Sequence, residues 1–136
     1  MDPIMTSAAG QAAALWAGLN LILLLVLSAR VVGKRRKHKV GLGTGDNPGL
    51  ARAVRAFGNA AEYIPNGLVA LAILVLAGGA PALVHVIGLV LFAGRVAHAV
   101  GLSRSGGVTM GRFVGMIMTW VAYILAAVSL LFYAIP

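Results

Sequence analysis

Cysteine is absent from the 136 residues. The chain therefore has no disulfide framework, no thiol nucleophile and no thiolate ligand for a metal. Histidine could still bind a metal, but the three histidines do not stand at a recognisable metal-ligand spacing, and no metal site is predicted. These histidines are His38, His85 and His98.

Charged residues are also scarce, and nearly all of them are positive. They make up 10% of the sequence, with 11 Lys and Arg against three acids, for a formal net charge of +8. The acids are Asp2, Asp46 and Glu62. A basic balance can indicate a nucleic-acid partner, but these cations flank apolar segments and are not interleaved with aromatic residues. We therefore expect no nucleic-acid partner.

Apolar residues dominate what remains. Hydrophobic residues form 60% of the chain and the mean hydropathy is +0.96, far from the balance of a soluble domain. Four apolar segments are predicted as helices, at about 8–29, 50–77, 81–102 and 108–133. At about 1.5 Å per residue the first reaches roughly 33 Å, enough to cross a hydrocarbon core of about 30 Å. We predict an all-α integral membrane four-helix bundle, one domain over residues 1–136, in contact with membrane lipids.

The distribution of the cations predicts the orientation of this bundle. Eight of the Lys and Arg residues lie between Arg30 and Arg55, and the other three, Arg95, Arg104 and Arg112, surround the loop between the third and fourth segments. Cytoplasmic loops of membrane proteins carry an excess of Lys and Arg. The sequence therefore predicts that both basic loops face the cytoplasm and that both termini face the other side.

A polar stripe enters the second apolar segment. Its members stand at spacings of 3, 4, 3 and 4, so at roughly 100° per residue they lie within an arc of about 80° on one helix. They are Arg52, Arg55, Asn59, Glu62 and Asn66. A charged side chain at mid-membrane costs about 2.5 to 3.5 kcal/mol on insertion scales, so Glu62 should be paired or face a wet cavity. Arg55, and Arg95 at a similar depth on the antiparallel third segment, are its expected partners.

The residues alone leave three interpretations of the charged and polar groups that the second and third segments bring together. One is an ion-pair network that only holds the helices in register. Another is a site for an anionic polar ligand, because cations outnumber Glu62 here and guanidinium groups bind carboxylates bidentately, while Glu62 and Asn59 can accept from an ammonium or amide. A transporter or channel is the third, but it would need a continuous polar path, which the uncharged outer halves of the segments do not provide.

Three parts of the sequence form recognisable motifs. They are LSAR, ending at Arg30, the pattern R-x-x-R-x-x-x-N-x-x-E-Y-x-P from Arg52 to Pro65, and GRVAHAV, with Arg95 and His98. Together they resemble the MAPEG family, the membrane-associated proteins of eicosanoid and glutathione metabolism. The resemblance covers essentially the whole chain and is greatest to the small bacterial branch of the family.

The resemblance implies a homotrimer in a bacterial inner membrane, with glutathione as co-substrate held between neighbouring subunits near the cytoplasmic face. It implies that the glutathione-binding residues are Arg30, Arg52, Arg55, Asn59, Glu62, Tyr63, Arg95 and His98. In such enzymes an arginine stabilises the glutathione thiolate, which attacks a lipophilic electrophile or reduces a lipid hydroperoxide. Arg104 or Arg112 is the candidate for that catalytic role.

One position departs from the eicosanoid members of the family. They carry a tyrosine one turn beyond the R-V-A-H segment, where this chain has Leu102, and Tyr123 in the last segment is expected only to pack or to contact lipid. The binding residues of the family therefore carry over better than the catalytic ones. The resemblance implies a membrane-bound glutathione-binding protein that acts as a glutathione transferase or peroxidase. The alternative is a non-enzymatic membrane protein whose buried charges serve oligomer structure or bind an anionic lipid.

Overall fold

A computed structural model describes residues 7–135, which form four helices. In chain order they are α1 (Ala8–His38), α2 (Pro48–Leu76), α3 (Pro81–Arg104) and α4 (Met110–Ala134). Each helix is long and apolar enough to cross a membrane. The predicted all-helical fold with four membrane-spanning helices is confirmed. Asp2, near the predicted outer terminus, lies outside the described residues.

The helix starts are set by residues at the ends of the loops. The Asn47 side chain accepts a hydrogen bond from the Leu50 amide at 2.9 Å, and the Thr109 hydroxyl accepts one from the Arg112 amide at 3.3 Å. Such caps satisfy amides that have no partner within the helix. Helix α3 begins at Pro81, a position where a missing amide hydrogen costs nothing. The loops of the sequence thus end where local chemistry favours a helix.

Helix α1 continues past the apolar segment predicted over about 8–29. Its 31 residues reach roughly 46 Å at about 1.5 Å each, well beyond a hydrocarbon core of about 30 Å. The helix ends where Lys39 adopts a left-handed conformation with φ of 55°. Arg35 Nη1 then donates to the Gly41 carbonyl at 3.2 Å and holds the following loop. We call the end of the bundle with loops 39–47 and 105–109 the basic end.

Helices α3 and α4 pack closely because glycine removes the side chains between them. A Cβ atom added at Gly115 would lie 2.4 Å from the His98 amide nitrogen, and one added at Gly94 would lie 2.9 Å from Met118 Cβ. Small residues at a helix interface let two backbones approach in this way. The approach brings the half of α3 that carries Arg95 and His98 against the start of α4.

Two apolar clusters fill the interior along the bundle. The larger one includes Trp16 and Leu71, and the smaller one lies toward the basic end and includes Ile64 and Leu102. Leu102 is only 5% exposed, so its side chain packs in the core. Buried Asn59, Arg95 and His98 come from the same stretches of α2 and α3 as the smaller cluster.

Candidate functional site

Arg95 is the largest buried polar residue of the bundle. Its side chain on α3 is 1% exposed. The Nη1 atom donates to the Asn59 side-chain oxygen at 2.9 Å, and the guanidinium carbon lies 5.1 Å from the centroid of the Tyr63 ring. A charge-assisted hydrogen bond and a cation–π contact therefore join α2 to α3 inside the membrane-spanning region.

The positive charge of this arginine is not neutralised within the described chain. Arg95 Nε and Nη2 are buried and have no hydrogen-bond partner there, and the same holds for Arg52 Nε. The single ion pair between described residues joins Arg55 to Glu62 and does not include Arg95. Leaving a buried donor unsatisfied costs about 1 to 3 kcal/mol, and more for a charged group. The site therefore has a surplus of positive charge and of donors.

Glu62 pairs with Arg55 on its own helix. Arg55 Nη1 lies 3.6 Å from Glu62 Oε1, and the two side chains are 65% and 56% exposed. The prediction that Glu62 is paired is confirmed for Arg55, whereas Arg95 contacts Asn59 instead. Seven residues apart, Arg55 and Glu62 stand two turns from each other on one side of α2.

The outer side of α2 is polar, although this helix is apolar enough overall to cross a membrane. Arg55, Glu62 and Asn66 are all exposed, and Asn66 Nδ2 donates to the Glu62 main-chain carbonyl at 3.3 Å. We call these three residues the polar face of α2. Hydrocarbon offers neither hydrogen bonds nor counter-charges, so exposing such a face to lipid is costly. The polar face therefore needs a cover of protein, ligand or water.

Sequence reasoning missed the contact made by Tyr123. Its hydroxyl donates to the main-chain carbonyl of Tyr63, and the two rings lie 6.1 Å apart with an interplanar angle of 43°. The Tyr63 ring therefore contacts both Tyr123 and Arg95. A tyrosine inside an apolar segment signals that its hydroxyl needs a partner, but nothing in the sequence identifies a carbonyl 60 residues away.

Comparison with known proteins agrees with this architecture. The sequence profile of the MAPEG family matches residues 13–132. The chain belongs to the MAPEG family. This MAPEG protein is also similar to Inner membrane protein YecN of Escherichia coli strain K12 and to the protein of the same name in Escherichia coli O6:H1 strain CFT073. Each is 37% identical over 120 residues, which cover 88% of this chain and 90% of the relative. The resemblance stated from the sequence motifs is confirmed.

The other residues that the MAPEG resemblance singles out lie near the basic end. Arg30 Nη1 donates to the Ser103 hydroxyl at 3.1 Å and so joins α1 to α3. Arg112 Nη1 donates to the Gly107 carbonyl at 2.6 Å, which holds the loop between α3 and α4. Arg104 is exposed and makes no hydrogen bond or ion pair within residues 7–135. Of the two candidate arginines, Arg104 therefore has the free guanidinium.

His98 is the remaining predicted binding residue of this MAPEG chain. It follows Arg95 by three positions on α3 and is 7% exposed. The backbone of α4 crosses directly behind it at Gly115, where even a methyl group would not fit. The structure thus brings Arg95, Asn59 and Tyr63 into direct contact. It places the Arg55–Glu62 pair outside them and leaves Arg30, Arg104 and Arg112 toward the loops.

Proposed function

We propose that this protein binds glutathione at the polar face of α2 and transfers it to lipophilic electrophiles, or uses it to reduce lipophilic hydroperoxides. The observation that carries the proposal is the uncompensated charge of buried Arg95 behind the exposed Arg55–Glu62 pair. Glutathione carries two carboxylates and one ammonium, so its charges complement a surplus of guanidinium groups around a single carboxylate. Membership of the MAPEG family supports a thiol as the ligand.

The binding roles follow from charge and exposure. Arg55 is exposed and can bind a carboxylate, while Glu62 beside it can accept from the ammonium. Arg95 is buried behind them, where a low dielectric strengthens its attraction for an anion. Asn59 and Tyr63 hold that guanidinium in place. The ligand would lie against α2, with the basic end providing further cations.

The chemical step needs a glutathione thiolate. A free cysteine thiol has a pKa of about 8.5, and lowering it by about two units requires about 2.7 kcal/mol. One or two hydrogen bonds to a charged donor, each worth about 1.5 to 3 kcal/mol, would be sufficient. Arg104 is the better candidate for this donor because Arg112 already donates to the loop carbonyls. The thiolate sulfur then forms a bond to the electrophilic carbon, and the leaving group departs with its bonding electrons.

We also propose a homotrimer in which a second copy covers the polar face of α2. The support is energetic, because Arg55, Glu62 and Asn66 are exposed at a depth where an isolated bundle would meet lipid. Placement in an inner membrane is supported by the name of the Escherichia coli relatives. A cytoplasmic basic end, with both termini on the other side, is supported by the distribution of Lys and Arg.

Titration of glutathione into purified protein in lipid nanodiscs tests the proposal. We expect saturable binding to the unmodified protein and a loss of roughly 10-fold to 100-fold in affinity for Arg55→Ala, because one charge-assisted bond is removed. Arg36→Ala is the matched control, since Arg36 is also an exposed arginine and lies on the last turn of α1. Absence of saturable binding to the unmodified protein would contradict the proposal.

A non-enzymatic role remains the second candidate, because Arg95 already has structural contacts. Its bond to Asn59 and its position over Tyr63 fasten α2 to α3 without any ligand. On this alternative the charges serve oligomer structure or bind an anionic lipid. A turnover assay distinguishes the enzymatic role from the non-enzymatic one. When supplied with glutathione, a structural protein would convert neither a chlorinated aromatic electrophile nor an alkyl hydroperoxide.

A further inference from the structure

A patch of exposed cations lies where α1 ends. Arg36, Lys37 and Lys39 are exposed, and their side chains make no hydrogen bond or ion pair within the part of the chain that the structure describes. Arg35, in contrast, donates to the Gly41 carbonyl at 3.2 Å and so holds the loop that follows. The other three cations are therefore available to a partner outside the chain.

Two of these cations border a shallow recess of about 310 Å³ at the basic end. Its lining residues are Arg35, Arg36, Lys39, Val40 and Gly41. Carbonyl groups at the end of a helix oppose the binding of an anion. Here the Arg35 and Arg36 carbonyls already accept from the amides of Val40 and Lys39. Fewer free acceptors therefore face the recess, and its cations favour an anion.

Arg36 lies on the same side of α1 as exposed apolar side chains. Leu25, Val32 and Arg36 are spaced by seven and four residues and therefore share one side of the helix. Leu25 is 69% exposed and Val32 is 44% exposed. This side of α1 thus carries hydrocarbon along its length and a guanidinium near its end. A phospholipid has the same order of groups, with acyl chains followed by a phosphate.

The cation on this side can reach phosphate groups at a membrane surface. Arg36 lies roughly 10 Å beyond the apolar segment 8–29 at about 1.5 Å per residue. The headgroup layer of a bilayer extends roughly 5 to 8 Å beyond the hydrocarbon core. Because Cα–Cβ bonds tilt toward the N-terminus of a helix, the long side chain of Arg36 leans back toward the apolar segment and can extend to the phosphates.

We propose that the end of α1 binds the headgroup of an anionic phospholipid, with the phosphate at Arg36 and Lys39 and the acyl chains along Leu25 and Val32. A net negative headgroup is favoured over a zwitterionic one, because residues 34–46 contain five Lys and Arg and one acid. A nucleic acid would use the cations but not the apolar side of the helix below them. None of these residues belongs to the polar face of α2, so the inference does not rest on the proposed function.

Titration with short-chain lipids in a non-ionic detergent, read by native mass spectrometry, tests the proposal. The probes are dioctanoylphosphatidylglycerol as the anionic lipid, dioctanoylphosphatidylcholine as the zwitterionic lipid, and glycerol phosphate as an anion without acyl chains. We expect the unmodified protein to bind the anionic lipid about 25-fold more tightly than the zwitterionic one, since each of two cations near an anionic headgroup contributes about fivefold. Glycerol phosphate should not saturate the site at the same concentrations.

Charge-neutralising substitutions separate a local contact from a loss of net charge. Arg36→Gln should weaken binding of the anionic lipid about fivefold, and Arg36→Gln combined with Lys39→Gln about 25-fold. Arg36→Lys keeps the charge and should retain binding. Lys34→Gln is the matched control, because Lys34 lies on the opposite side of α1, with its Nζ 3.3 Å from the position of a Cβ atom added at Gly49 on α2. It should change the affinity less than about twofold.

Several results would overturn the proposal. Equal affinities of the unmodified protein for the two lipids would do so, and so would equal losses in Arg36→Gln and Lys34→Gln. Binding of glycerol phosphate as tight as that of the anionic lipid would assign the patch to soluble anions. Tighter binding of a short oligouridylate than of the anionic lipid would assign it to a nucleic acid. Each of these results leaves the proposed function standing, because glutathione affinity is measured separately.

Discussion

Asn59 and Glu62 stand one turn apart on α2, yet they contact different arginines. The neutral amide of Asn59 accepts from buried Arg95, while the carboxylate of Glu62 pairs with exposed Arg55. This arrangement keeps the acid on the accessible side of the helix and leaves the buried cation without a counter-charge. A ligand with more negative than positive groups would neutralise the excess positive charge of these residues.

Glu62→Gln tests whether the exposed acid contacts a ligand. The substitution keeps the shape of the side chain and removes the charge that would accept from an ammonium, so glutathione affinity should fall about tenfold. Oligomer stability should change less than this affinity, because the glutamine side chain keeps an oxygen that can still accept a hydrogen bond from Arg55. Asp46→Asn, an exposed acid in the loop before α2, is the control for loss of charge. A dissociated oligomer with unchanged glutathione affinity would favour the structural role.

At the scale of helices, two kinds of contact position the site. Glycines bring the backbones of α3 and α4 together behind His98, and the Tyr123 hydroxyl fastens α4 to the carbonyl of Tyr63 on α2. The first contact places the start of α4 beside the site, and the second holds the Tyr63 ring against Arg95.

Gly115→Ala tests the close approach of α3 and α4. The added methyl group would lie 2.4 Å from the His98 amide nitrogen and 2.5 Å from the Gly94 carbonyl oxygen, so the two backbones must separate. We expect a thermal unfolding midpoint several degrees lower, as for overpacking that costs about 1 to 3 kcal/mol. Gly33→Ala on α1 is the control, because its methyl group would meet open space and alanine favours a helix. Equal midpoints for the two variants would contradict the packing argument.

At the scale of the whole molecule, charge and hydrocarbon are separated along the bundle. Helix α1 extends past the lipid core with a basic last turn, and the loop between α3 and α4 lies at the same end. In contrast, the polar face of α2 lies on a helix that is long and apolar enough to cross a membrane. The first feature is the reason that we predict an orientation for one copy, and the second is the reason that we propose association of several copies.

The orientation can be tested because the chain has no cysteine. A single cysteine introduced as Thr44→Cys reports on the loop between α1 and α2, and one introduced as Ala134→Cys reports on the end of α4. In intact cells, a membrane-impermeant maleimide should label the cysteine at position 134 and not the one at 44. Inverted vesicles should give the opposite pattern, and the cysteine-free parent provides the background. Labelling of position 44 in intact cells would contradict the predicted orientation.

The sequence by itself determined the features that depend on composition and helical periodicity. Apolar length predicted four spanning helices, and regular spacing placed the polar residues of α2 on one side. Family membership followed from a pattern that lies mostly within a single helix, from Arg52 to Pro65. These properties can be read locally, because a helix repeats every 3.6 residues whatever packs against it.

Only the tertiary structure decided which side chains meet. Asn59 is hydrogen-bonded to Arg95, which is 36 residues away in the sequence, and Tyr123 is hydrogen-bonded to the main-chain carbonyl of Tyr63, which is 60 residues away. Leu102 packs in the core. The sequence allowed several partners at a similar membrane depth for each of these groups. For Glu62, for example, both Arg55 and Arg95 were expected partners. Helix rotation and the glycine-mediated approach of α3 to α4 select among them, because a hydrogen bond forms only within about 3 Å and sequence spacing does not specify the distance between helices.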